Sequence, residues 1–167
     1  ALDVVEPFQM GVDNKTPAFL AKNPFGKVPL LELPSGECVF ESNAIARFLV
    51  NREPCALYPP GDLTLRAKID AWCDAFNALD VVGPKWFYPI VGIGANRGIT
   101  HDPANVAEAK RVVAAHLTAL EATLSTSAYL CGEAMTLADV IGACAMETLY
   151  MALMPPEEWK PYPKTLK

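Results

Sequence analysis

A carboxylate and a hydroxyl stand side by side at Glu41-Ser42, just ahead of the helix-forming run Asn43 to Val50. Serine caps helices by accepting from a first-turn amide, and the unpaired N–H groups of a helix N-terminus attract anions. Ser42 is therefore the expected cap of a helix over Asn43 to Val50, and the pair suits a zwitterion. A ligand carboxylate meets the N–H groups and the Ser42 hydroxyl, while a ligand ammonium meets Glu41. Upstream, Val28-Pro29 heads the apolar run Leu30-Leu31. Proline cannot donate to a sheet ladder, so Pro29 marks a strand start or edge and leaves the Val28 backbone able to pair with a ligand's amides. Only about 5–6% of X-Pro bonds are cis, so trans is the expectation for the bond before Pro29 and cis the alternative.

The elements that position these residues are legible around them. An Asn23-Pro24-Phe25-Gly26 turn leads to the Val-Pro step and a strand. A turn at Pro34-Ser35-Gly36 follows, then a second strand carrying Cys38, then the helix. The region opens on Leu2 to Phe8, an apolar run that reads as a strand, and continues through a helix over Thr16 to Lys22 with Asn14 or Thr16 as its cap. Near Tyr58-Pro59-Pro60-Gly61 this mixed pattern gives way to long helical ones, which sets a domain boundary between residues 1–57 and 58–167.

In the second region Leu65, Ile69, Trp72, Cys73, Phe76 and Leu79 recur at three and four, an amphipathic stripe expected to stop at Gly83-Pro84. Asp102 caps a further helix with Pro103 at its first position and Val106, Val113, Leu117, Leu120 and Leu124 on its buried side. Thr136-Leu137-Ala138-Asp139 resembles a capping box, worth about 1 kcal/mol for the Thr cap. The helix behind it, Leu137 to Met154, is apolar nearly all round and is expected to be buried on every side.

Composition bounds the function. Of 167 residues, 51% are hydrophobic and 20% charged, ordinary for a globular protein with a real core. A formal net charge of -5 argues against direct contact with nucleic acid or an anionic membrane surface. The longest apolar run, Val140 to Met154, contains Glu147 and is too short to span a bilayer. Cys38, Cys55, Cys73, Cys131 and Cys144 are odd in number and scattered, without C-x-x-C or metal-ligand spacing, as expected in a reducing cytosol. His101 sits in a helix-entry turn and His116 inside the long helix, neither with a metal-binding companion. Trp86, Phe87 and Tyr88 read as packing anchors in preference to a stacking platform, and Cys38 as a small hydrophobe in preference to a nucleophile.

The segments KVP and ESNAIARF resemble the glutathione S-transferase superfamily, whose thioredoxin-like half holds the gamma-glutamyl arm of glutathione with a cis proline and a Glu/Gln-Ser pair. Two further stretches, GVDNKTPAFLAKNPFGKVP from Gly11 to Pro29 and KWFYPIVGI from Lys85 to Ile93, resemble the gamma-subunit family of the eukaryotic elongation factor 1 nucleotide-exchange complex. The fold this implies is α/β plus all-α. A thioredoxin-like N-terminal domain, its first strand and helix lying ahead of residue 1, is followed by a glutathione S-transferase C-terminal helical bundle cut short near Tyr162-Pro163-Lys164. By the same resemblance, Asn14 and Lys15 lie near the glycine carboxylate of glutathione and Lys27 contacts the same arm. Val28 supplies backbone bonds beside Pro29, and Glu41 and Ser42 hold the gamma-glutamyl end. The implied cofactor is glutathione or a related thiol. The family activates that thiol from the end of its first strand, so no catalytic residue is assigned. Two functions follow from the resemblance: a cytoplasmic scaffold for the other subunits of the exchange complex, or a transferase conjugating the thiol to electrophiles, with homodimer formation open to either. A thiol-disulfide oxidoreductase is disfavoured because no C-x-x-C precedes Pro29.

Overall fold

The structure, a computed structural model, describes residues 3–95 and 98–166. The chain divides into two units, Ala1–Arg52 and Glu53–Lys167. The first is α/β. Helix α1 (Pro17–Lys22) opens on a proline, and the Thr16 hydroxyl accepts from the Phe19 amide at 3.2 Å, so Thr16 and not Asn14 is its cap. Strands β1 (Leu30–Glu32) and β2 (Cys38–Phe40) pair antiparallel, Leu30 with Phe40, Leu31 with Val39 and Glu32 with Cys38. The turn between them closes through Gly36 N–H to Leu33 O at 2.8 Å, with Gly36 at a φ of 85°. Helix α2 (Ser42–Val50) completes the unit.

Three expectations change here. Residues 3–8 form no strand: the described sheet holds β1 and β2 alone, and Val4 and Val5 face solvent for want of a paired neighbour. Leu2, the first residue of that expected strand, lies outside the described residues. The cap of α2 is Glu41, and Ser42 is its first helical residue. The Val28–Pro29 bond is cis.

The second unit is helical. Its division from the first falls ahead of Tyr58, because the Leu57 carbonyl accepts from the Leu137 amide at 2.8 Å and the buried Tyr58 donates its phenol to Asp70 at 2.8 Å. Burial first, then the bond to Asp70, pushes the Tyr58 phenol above its ordinary pKa and keeps it a donor. Helix α3 (Leu63–Ala75) is capped by Asp62, and Ile69, Cys73, Phe76 and Leu79 of the expected stripe are buried. The path does not stop at Gly83-Pro84. It passes through a 3₁₀ segment, Phe76–Val81, and a π-helical turn, Gly83–Phe87, into α4 (Tyr88–Val91), ending at Gly92 with φ 74°. Pro84 sits in the first turn of its segment, where a missing N–H breaks no intrahelical bond. Trp86 is buried as an anchor, under the Lys110 ammonium at 4.9 Å from its ring.

Helix α5 (Pro103–Leu124) starts as expected, with Asp102 accepting from the Ala104 amide at 2.9 Å, and buries Ala109, Val113, Leu117 and Leu120. The ring nitrogens of His116 lie 2.9 and 3.0 Å from the carbonyl oxygens of Val112 and Ala75, a structural placement. In the first turn of α6 (Leu137–Thr148), the Asp139 carboxylate accepts from the Thr136 amide at 2.7 Å, from the Thr136 hydroxyl at 2.9 Å and from the Leu130 amide at 2.8 Å. The expected all-round burial of α6 does not hold: Leu137, Ala138, Gly142 and Met146 are buried, whereas Val140, Ala143, Cys144 and Glu147 are exposed. A π-helical turn, Leu149–Leu153, leads on to α7 (Pro156–Trp159).

Gly142 marks a close approach of α6 to the buried Phe76 ring. A Cβ there would stand 2.7 Å from Phe76 Cζ and 3.0 Å from Cε2, and the buried Phe76 ring has little room to retreat. Gly142→Ala is therefore expected to destabilise the protein by about 1–3 kcal/mol despite its better helix propensity, read as a lowered midpoint in urea unfolding.

Candidate functional site

The site is built at one end of the β1–β2 hairpin. Because Leu30 pairs with Phe40, the next residue outward on each strand, Pro29 on one and Glu41 on the other, lies at the same end of the ladder. Val28 and Ser42 follow one step further out. Two segments that the sequence separates are thus brought together by register alone. Among the described residues the Val28 N–H and carbonyl pair with no other backbone group, and Val28 is 43% exposed. The first intrahelical bond of α2 runs from the Ile45 amide to the Glu41 carbonyl at 2.9 Å, so Ser42 stands ahead of it, exposed, at the positive end of the helix.

The loop before Val28 is fixed by two buried asparagines. Asn23, 2% exposed, donates its amide to Lys27 O at 2.8 Å and accepts from the Phe25 amide at 3.1 Å. Asn14, 5% exposed, donates to Gly26 O at 2.6 Å and accepts from the Gly11 amide at 2.6 Å. The Lys15 ammonium donates to the same Gly26 carbonyl at 3.3 Å. Gly26 has a φ of 59°, and a Cβ there would lie 2.8 Å from the Asn14 carbonyl oxygen, so only glycine fits. The exposed Phe25 ring meets Phe40 edge-on at 5.8 Å between centroids, which ties the loop to the hairpin end.

Residues 4–51 match the N-terminal domain of glutathione S-transferase and residues 78–166 match its C-terminal domain. The chain belongs to the glutathione S-transferase family. Elongation factor 1-gamma 2 of Oryza sativa subsp. japonica is 42% identical to it over 153 residues, 90% of this chain and 34% of that one. The chain thus spans about a third of the length of that relative, and what the two share is a transferase-like region. A glutathione S-transferase from Pseudomonas fluorescens superposes with a TM-score of 0.73 at 28% identity, covering 93% of this chain and 74% of that one. The fold is also that of a glutathione S-transferase from Methylobacillus flagellatus with GSH bound, at a TM-score of 0.73 and 24% identity over 88% of this chain and 71% of the other. The α/β unit followed by an all-helical unit is the two-domain order of this family.

Within this transferase-like unit, the structure gathers Lys27, Val28, Pro29, Glu41 and Ser42 around the hairpin end through the loop and the register. Asn14 and Lys15 join them through Gly26, and both make bonds that hold the loop. Asn14 is therefore a positioning residue whose amide is turned into the fold. The sequence motifs assign no role to Asn23, although an asparagine opening an Asn-Pro-Phe-Gly turn is the signal for a side chain that bonds its own backbone two residues on. Among the described residues no cluster of His, Cys, Asp and Glu has the arrangement of a metal site, and no helix is long and apolar enough to cross a membrane.

Glu41 carries the conformation that distinguishes this site. Its φ is 70° and its ψ 121°, making it the one non-glycine residue with positive φ among those described, and its side chain makes no capping bond. Such a backbone costs about 1–3 kcal/mol in a residue with a Cβ, whereas glycine relieves most of it at an entropic cost of about 0.5–1 kcal/mol. Glu41→Gly is thus expected to leave thermal stability unchanged or raised while removing the site's carboxylate. A melting temperature lowered by several degrees would show that the side chain supports the fold instead.

Proposed function

We propose that this chain is the glutathione S-transferase-like domain of an elongation factor 1-gamma protein. In this reading it scaffolds the other subunits of the cytoplasmic nucleotide-exchange complex and keeps a groove that binds glutathione or a related thiol. The observation that carries the groove is the strand register, which sets the Val28 backbone, without a backbone partner among the described residues, beside Glu41 and the N-terminus of α2. A gamma-glutamyl end offers both charges that this arrangement suits: its carboxylate to Ser42 and the helix N-terminus, its ammonium to Glu41. The Val28 backbone then pairs with the peptide part of the ligand, in the manner of a strand edge. Lys27 and Lys15 supply positive charge for the glycine carboxylate. The scaffold role is supported by the kinship with elongation factor 1-gamma.

A second reading, a transferase that conjugates the bound thiol to electrophiles, is supported by the likeness to glutathione S-transferases from bacteria. The groove serves both readings. In both, a homodimer is a further association to test.

One measurement tests the groove and a second separates the readings. Glu41→Ala combined with Ser42→Ala is expected to lower glutathione affinity at least about a hundredfold, since two charge-assisted contacts are lost, with helix content by circular dichroism nearly unchanged. Unaltered affinity in titration calorimetry would overturn the groove. Affinity capture from cytosolic extract, with the full-length protein as bait, is expected to recover the exchange-factor subunits. Their absence from a folded, glutathione-binding bait would leave the transferase reading.

A further inference from the structure

Asn23 closes α1 and opens the turn that leads to Val28, and every one of its polar groups is engaged in doing so. Its backbone N–H donates to Phe19 O at 2.9 Å, and its carbonyl accepts from the Gly26 amide at 3.0 Å. In the side chain, Oδ1 accepts from the Phe25 amide at 3.1 Å and Nδ2 donates to Lys27 O at 2.8 Å. The orientation of the carboxamide is fixed by its partners, because the Phe25 amide can only donate and the Lys27 carbonyl can only accept.

The bond to Lys27 bears on Val28 because the two residues share a peptide plane. That peptide is trans, the cis bonds being Glu6–Pro7 and Val28–Pro29, and in a planar trans peptide the C=O and the N–H point to opposite sides. Holding Lys27 O against the buried Asn23 therefore turns the Val28 N–H away from the loop interior. We infer that Asn23 is a positioning residue of the groove: by fixing the Lys27 carbonyl it aims the Val28 N–H outward, to donate to a peptide carbonyl of a gamma-glutamyl peptide. This role rests on the groove reading given above. Asn14 acts one peptide earlier, on Gly26 O, an oxygen to which Lys15 also donates. Among the described residues the Lys27 carbonyl accepts from no backbone group, which leaves the aim of Val28 to Asn23. Since Asn23 is also the C-cap of α1, that aim is referred to a helix and not only to the short hairpin.

Titration of the whole protein with glutathione, followed at the Val28 and Ser42 amides by NMR, tests the role. Asn23→Ser keeps a hydroxyl able to accept from the Phe25 amide, as serine does in such turns, but too short to donate to Lys27 O. It is expected to lower glutathione affinity about tenfold in titration calorimetry. At saturation the ligand-induced shift of the Ser42 amide is expected to match the unsubstituted protein, whereas that of the Val28 amide is largely lost. A side chain that merely kept the loop folded would, on removal, weaken both responses together. Asn23→Asp has the shape of asparagine and keeps the acceptor, but its carboxylate has no hydrogen to give Lys27 O; it is expected to show the same split and decides the matter should Asn23→Ser fail to fold. The unsubstituted protein supplies an independent check, since its Val28 amide is expected to exchange freely with solvent and to be protected once glutathione is bound. Protection without ligand, a full Val28 shift in a folded variant, or equal loss at both amides would overturn the role of Asn23. An unsubstituted protein that responds to glutathione at neither amide would instead overturn the groove itself.

Discussion

The pairing of Leu30 with Phe40 is the constraint on which the N-terminal site rests. Two strands of three residues each supply little pairing energy, and an isolated hairpin is marginal in water. A slip of one residue would turn every side chain to the opposite face and would separate Pro29 from Glu41. Register is held here by contacts outside the ladder. The Phe25–Phe40 edge contact couples the hairpin end to the preceding loop. The turn bonds at Leu33, Gly36 and Glu37 close its other end. Short strands suffice because the elements on either side of them specify where they meet.

Buried asparagines do the work in that loop for a chemical reason. A carboxamide offers a donor and an acceptor from one planar group, so Asn14 and Asn23 can each bridge two backbone groups that no regular ladder would satisfy. An apolar replacement would take these donors from the Gly26 and Lys27 carbonyls and leave the Gly26 carbonyl with the Lys15 ammonium alone. The same geometry accounts for Gly26, whose left-handed backbone and close approach to Asn14 let the loop fold onto itself. Preorganisation of this kind matters for a ligand read largely through backbone groups, since a loose Val28 would have to be ordered at the moment of binding.

Much of this was legible in the sequence, and the exceptions share a cause. Capping and periodicity are local, so the Asp102 cap and the buried stripes of α3 and α5 read correctly from their neighbours. The Val-Pro and Glu-Ser segments pointed to one site because their spacing fits a hairpin between two turns. The failures lie where a distant partner decides. Val4 and Val5 have strand propensity but no strand beside them among the described residues. Gly83-Pro84 reads as a stop, yet the helical path continues through both residues in a π-helical turn, Gly83–Phe87. Helix α6 is apolar enough to be buried all round, but only its Gly142 side meets the unit's core, against Phe76. The positive φ of Glu41 has no local signal at all, because asparagine or glycine would be the usual residue there.

The division of the chain gives these two kinds of contact separate consequences. Every hydrogen bond described for the groove joins residues of Ala1–Arg52, and the polar anchors of the helical unit, Tyr58 with Asp70, Asp139 with Leu130 and Glu121 with Thr165, join residues of Glu53–Lys167. Substitutions on the outer faces of the helices, such as Val140, Cys144 or Tyr150, can therefore change what the helical unit presents without disturbing the bonds that shape the groove. Exposed helical positions tolerate most side chains, whereas Asn14, Asn23 and Gly26 are fixed by bonds and a backbone conformation that few other residues reproduce, so the two classes of position are open to change to very different degrees.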